Sequence, residues 1–211
     1  MLPLENLLAF AAASVALILI PGPSVLFVVG RSIALGRIGG LLSVLGNALG
    51  MIPLLVAVAL GVGVLVAQSV VLFTIIKVAG ALYLAWLGIQ AIRHRHAAAA
   101  ATQTATGASR WRLLGQGFLV GSTNPKTIAF FVAVLPQFVD FHASAIPLQL
   151  GILGLVFVVL ALVFDSCWAI AAGAARDWFA TSPRRTSRLS ATGGGMMIGL
   201  GGVLLFTGGN A

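Results

Sequence analysis

The 211-residue sequence predicts an all-α, polytopic membrane protein whose six transmembrane helices form two inverted three-helix repeats. Three observations carry that prediction. First, 60% of the residues are hydrophobic and 8% are charged, with a mean hydropathy of +1.11. Soluble domains sit near ~45–50% apolar and ~25% charged, and disordered chains are poorer still in apolar residues, so both classes are excluded. Second, ten of the twelve Lys and Arg residues fall in three connecting segments, and the connections between these hold none. Third, two of the hydrophobic segments are broken by proline at corresponding places in the two halves.

The elements follow from hydropathy, at about 20 apolar residues per crossing. Six segments are expected, at Leu4–Val29, Gly39–Val66, Val70–Ile92, Leu113–Leu135, Ile146–Ala175 and Leu189–Gly209. The N-terminal segment carries Glu5, has no positive charge and is too long for a cleavable signal, so it is expected to be the first mature helix. The whole chain, 1–211, is one transmembrane domain, with a first repeat at 1–93 and a second at 113–211. The intervening segment 94–112 is rich in Ala and Thr and is expected to be a mobile loop. Its His94 and His96 form a pair without Cys, Asp or Glu alongside, too few groups for a metal site. No cofactor motif is present. The single cysteine, Cys167, allows no internal disulfide.

The net charge of +8 is a topology signal. Arg31 and Arg37 follow the first segment. Arg93, Arg95, Arg110 and Arg112 follow the third, and Arg176, Arg184, Arg185 and Arg188 follow the fifth. By the positive-inside rule the loops 30–38, 93–112 and 176–188 are cytoplasmic and both termini are periplasmic. The same charges favour anionic lipid, whereas no folded basic face exists to carry nucleic acid.

Lys77, Lys126 and Asp165 fall inside apolar segments. A charge at the bilayer centre costs about 2.5–3.5 kcal/mol on insertion scales, so each is a functional hypothesis set against a bland one. Lys77 lies close enough to a helix end to snorkel, but Gly80, Ala81 and Gly88 share its face and favour packing into the bundle. Asp165 is open to pairing with either lysine, to carrying a proton, or to binding a cationic group.

Lys126 follows Asn124 and Pro125 about twelve residues into its segment. Pro125 removes a backbone donor and forces a kink or an unwound turn there. The run Pro21, Gly22, Pro23 does the same in the first segment. Freed backbone groups at such depth are tolerated only where protein or a water-filled cavity satisfies them. Three helices per half is an odd number, which inverts the second half relative to the first. Inverted repeats with broken helices meeting near the midplane are a transporter architecture, and the breaks point to its binding site. In the second segment Asn47 is a lone amide on a small-residue face that includes Gly46 and Gly50. Gly117 with Gly121, and Gly195 with Gly199, repeat that close-packing pattern.

These residues resemble the lysine exporter / homoserine–threonine efflux (LysE/RhtB) family. The resemblance is carried by Pro21-Gly22-Pro23, by the pattern from Lys77 through Gly80, Ala81, Tyr83 and Leu84 to Gly88, and by Asn124-Pro125-Lys126. Phe130-Phe131 and Pro136-Gln137-Phe138 complete it. It runs over nearly the whole chain. It implies a secondary active exporter of amino acids or their derivatives in the bacterial inner membrane, driven by proton antiport, not an enzyme, and compatible with a homodimer. The expected substrate-binding residues are Lys126, Asn124, Pro125, Pro21, Gly22, Pro23 and Asn47. Asp165 and Lys77 are expected to carry the coupling proton or to form an ion pair. Helix 6 carries nothing distinctive, and the exported amino acid is not readable. A metal-cation exporter on a related scaffold is the alternative, although it would want more intramembrane carboxylates, Cys or His. A thiol relay is unworkable with Cys167 alone, and a non-transporting scaffold would not need two helix breaks.

Overall fold

The computed structural model describes residues 2–62, 70–94, 109–141 and 145–175, together with isolated positions at 143 and between 178 and 205. The expectations for residues 95–108, for most of loop 176–188, for the sixth segment and for the side chain of Lys77 lie outside the described residues. Among the described residues all regular structure is helical.

Helix α1 spans Leu4–Leu19 and stops at Ile20, whose backbone is extended. Pro21 and Pro23 end it, because neither has an N–H to continue the ladder. Helix α2 spans Pro23–Ala57, with Pro23 in its first turn, where a missing donor costs nothing. It runs on into a π-helical turn at Val58–Val62. The remaining helices are α3 (Val70–Arg93), α4 (Arg110–Thr123), α5 (Pro125–Ala133) and α6 (Ile146–Ala174). A 3-10 turn at Leu135–Phe138 follows α5.

The structure corrects one boundary. Loop 30–38 was expected between the first two spans, yet helix continues through it and is interrupted only at Gly36, at φ 76° and ψ −177°. At that φ a side chain is strained, and glycine is not. The chain doubles back there. A Cβ on Gly40 would collide with the Ser32 hydroxyl, although eight residues of straight helix would separate these positions by about 12 Å. Val28 and Val44, one from each arm, pack together against Ala169. The α2 element is therefore a tight helical hairpin with arms 23–35 and 37–57.

Ile146–Ala174 is long and apolar enough to cross a membrane. Pro23–Gly61 passes the same test by length and composition, but its reversal at Gly36 makes it two arms and not one crossing. Arg110–Thr123 and Pro125–Phe138, bent by 42° at the break, are long and apolar enough to cross when taken together. The second arm of α2 lies between α4 and α6, α1 packs on α6, and α3 packs on α5. Its contact with α4 is backbone to backbone. Gly46 and Gly50 leave room for the carbonyls of Leu114 and Phe118, while Gly117 and Gly121 leave room for those of Ser43 and Asn47. The two small-residue pairs thus interlock, as such faces do where van der Waals contact drives helix association. The third pair differs: a Cβ on Gly195 or Gly199 would meet nothing within 4 Å.

This contact is testable. Gly121→Val forces a side chain into the Asn47 carbonyl and should lower the melting midpoint in detergent, by an overpacking cost of about 1–3 kcal/mol. Gly151→Ala, with open space around it, should leave the midpoint unchanged or raise it.

Candidate functional site

The C-terminal end of α1 sets the site's first requirement. The last carbonyls of a helix lack intrahelical donors, and here the residues that would supply downstream N–H groups include two prolines. The Ile20 N–H reaches back to the Leu17 carbonyl at 3.2 Å. Lys126 Nζ adds two more donors, to Leu17 O at 2.8 Å and to Ile20 O at 2.7 Å. The ammonium therefore sits on the negative pole of α1. Lys126 is 3% exposed.

A second broken helix delivers Lys126 to this position. Asn124 is extended between α4 and α5, and its Oδ1 accepts from the Lys126 backbone N–H at 3.1 Å. It is thereby the N-cap of α5, with Pro125 following in the first turn. The other end of the same amide, Nδ2, donates to Ser24 Oγ at 3.1 Å. Ser24 opens α2 just beyond the first break. Asn124 so caps its own helix and ties one break to the other.

Asn47 and Asp165 stand in the same interior. Asn47 Nδ2 donates to Asp165 Oδ2 at 3.1 Å, which joins the second arm of α2 to α6. Asn47 is 1% and Asp165 3% exposed. Asn47 Oδ1 is buried without a partner, an acceptor beside a carboxylate with nothing to accept from. Asp165 and Lys126 are both buried, and the hydrogen bonds of each go to other groups. Such an interior, with a buried ammonium, a buried carboxylate and an unpartnered amide oxygen beside the carboxylate, suits a small zwitterion.

Apolar packing closes one side of this interior. Phe130 and Phe131 of α5 meet Phe157 of α6 at ring-centroid distances of 5.1 and 5.0 Å. Phe10 of α1 lies 5.8 Å from Phe130 and 5.5 Å from Phe138. Toward the Gly36 turn, Arg31 Nη2 donates to Gln116 Oε1 at 2.6 Å and its guanidinium lies 5.3 Å from the Phe27 ring centroid.

Among the residues expected at the site, Lys126, Asn124, Asn47 and Asp165 are buried together with Pro21 and Gly22. Pro23 is exposed and Pro125 half-buried, so these two shape backbone and do not line the interior. Lys77 is in α3. Sequence reasoning pointed to unwound carbonyls around Pro21–Pro23 as a place for a substrate ammonium, but singled out neither Ser24 nor the Leu17 and Ile20 carbonyls by residue. Ser24 had a signal, as a hydroxyl directly after the double-proline break. For the carbonyls the proline break marks the neighbourhood but not which residues.

Residues 15–208 match the family profile described as LysE type translocator. The chain belongs to the LysE family of translocators. It is accordingly a membrane transporter and not an enzyme. Relatives across nearly the full length agree. An uncharacterized membrane protein of Vibrio cholerae serotype O1 is 37% identical over 198 residues, covering 93% of this chain and 95% of its own. The homoserine/homoserine lactone efflux protein of Salmonella typhimurium is 33% identical, covering 93% and 94%. The leucine efflux protein of Klebsiella pneumoniae is 30% identical, covering 92% and 90%. No solved structure matches the chain. The metal-cation alternative gains no support from these relatives, and no group of three His, Cys, Asp or Glu gathers among the described residues.

The double role of Asn124 in this LysE-family chain can be separated by mutation. Asn124→Ala should cost about 1–2 kcal/mol through the lost cap. Ser24→Ala should cost less, near the ~0.6 kcal/mol average of interhelical hydrogen bonds in membranes. In the double variant Ser24→Ala should add nothing, as read by unfolding in detergent.

Proposed function

We propose that this chain is a secondary active exporter of amino acids or their derivatives across the bacterial inner membrane, working by proton antiport. The observation that carries the reading is the meeting of two proline-broken helices at one buried layer holding Lys126 and Asp165. Discontinuous helices in the two halves of a transporter converge on its substrate and coupling ions. The family and the efflux proteins related to the chain support an amino-acid cargo.

In this mechanism the two halves are inverted three-helix repeats, and the layer lies near the bilayer midplane. The substrate carboxylate goes to Lys126 and to the N-terminal end of α5, where charge and helix dipole both favour an anion. The substrate ammonium is left to oxygen acceptors, either Asp165 with Asn47 Oδ1 or the carbonyls at the end of α1. Asp165, a carboxylate shielded from water, carries the coupling proton, with Lys77 as the other candidate. Rocking of one half against the other then opens the layer to each side in turn. In this reading, following the positive-inside rule, the Gly36 turn with its Arg31–Gln116 contact faces the cytoplasm and the phenylalanine cluster faces the periplasm.

Efflux from dipeptide-loaded cells, with a panel of amino acids and a protonophore, tests substrate class and coupling together. Expression should speed loss of one or a few amino acids, and the protonophore should abolish the effect. Lys126→Ala should reach the membrane and export no more than cells lacking the protein. Asp165→Asn should lose the response to the proton gradient. Normal export by Lys126→Ala would remove the site assignment.

A further inference from the structure

The contact between Lys126 and α1 has the form of a receptor with its ligand already attached. We propose that the carbonyl oxygens of Leu17 and Ile20 form a subsite for a primary ammonium group. Lys126 fills it when no substrate is bound, and a ligand's own ammonium fills it when Lys126 leaves.

Four observations build this subsite. Leu17 lies in the last turn of α1, where the backbone dipole concentrates negative charge, and Ile20 is the extended residue that caps it. Pro21 and Pro23 carry no N–H, so the residues that follow cannot supply their share of donors. The two bonds, at 2.8 and 2.7 Å, have the short lengths of charge-assisted hydrogen bonds. The bound group is almost entirely withdrawn from solvent, so the pair holds an ammonium without help from bulk water. One turn earlier on α1, Ser14 Oγ is also buried and without a partner, a further oxygen on the element that carries the acceptors.

An ammonium has three donors, and two carbonyls engage two of them. The chemistry selects primary amines: a quaternary ammonium has charge but no N–H to give. The carbonyls are backbone, so their selectivity does not depend on a side chain of the amino acid. The rest of the inference rests on the export reading. A substrate carboxylate draws the Lys126 ammonium toward itself, and the substrate ammonium takes over the vacated carbonyls. One ammonium replaces another, so the end of α1 is never left bare. Lys126 thus competes with substrate at one end while binding it at the other.

The experiment uses the full chain purified in detergent, as wild type and Lys126→Ala. Recovery of folded, monodisperse protein and its melting midpoint are measured in potassium, tetramethylammonium, methylammonium and ethylammonium chloride at equal ionic strength. Lys126→Ala should melt below wild type in the first two salts. Methylammonium and ethylammonium should raise its midpoint or its recovery saturably and leave wild type unmoved, because there Lys126 already holds the subsite. Equal values for Lys126→Ala in all four salts overturn the proposal. A second arm uses wild type and an amino acid shown to be exported. That amino acid should raise the midpoint, and its N-trimethyl derivative should not. Equal stabilisation by both also overturns the proposal. The alkylammonium arm needs no transport, so failure of amino-acid efflux and failure of the subsite register separately.

Discussion

The bond from the Lys126 ammonium to the end of α1 resolves two costs that neither partner could resolve alone. A helix stopped by proline within an apolar layer leaves carbonyls without donors, each costly away from water. A lysine buried in the same layer leaves a charge without solvent, which is costlier still. Placed together, the acceptors solvate the charge and the charge caps the helix. Each break therefore depends on the other: α1 can end where it does because α5 delivers Lys126, and Lys126 can be buried because α1 ends there. Asn124 adds a second tie of the same kind, using one side of its amide for its own helix and the other for Ser24.

The glycine crossing makes that arrangement accurate. Where the second arm of α2 meets α4, backbone lies against backbone through Gly46, Gly50, Gly117 and Gly121. The Asn47 carbonyl sits against Gly121, three residues before the Asn124 break. The amide of Asn47 reaches Asp165 from that same position. A side chain at Gly121 would push α4, and with it the Asn124 break that leads into Lys126, away from the arm that carries Asn47. The hairpin at Gly36 acts on the same geometry from the other end, because it sets how closely the arm bearing Ser24 returns along the arm bearing Asn47.

Much of this was legible in the residues, for identifiable reasons. Proline at Pro21, Pro23 and Pro125 removes donors wherever it stands, so both breaks are marked in the chain itself. Lys126 and Asp165 stood out because charge is costly in an apolar segment. The interlocking glycines were visible as two small-residue pairs four residues apart. Other features left no mark. The acceptors of Lys126 are carbonyls, which every residue has. The reversal between the first two spans was expected within 30–38, but not that helix runs through that segment to a one-residue hinge at Gly36. Ser24 gained significance only once Asn124, a hundred residues away, was placed beside it. The inverted relation of the two halves remains an inference from the odd number of spans and the paired breaks.

On this account Lys126 fills the carbonyl subsite at the end of α1 in the empty transporter, and a substrate ammonium takes its place. The most direct measurement is the proximity of the Leu17 carbonyl carbon to Lys126 Nζ in lipid bilayers, by solid-state NMR with 13C-carbonyl leucine and 15Nζ-lysine. Lys77 and Lys126 are the only lysines in the chain, so the nitrogen signals are few enough to assign. The account predicts a close carbon–nitrogen contact in the empty protein that disappears when an exported amino acid is added. Absence of the contact in the empty protein, or its persistence under saturating substrate, would contradict it.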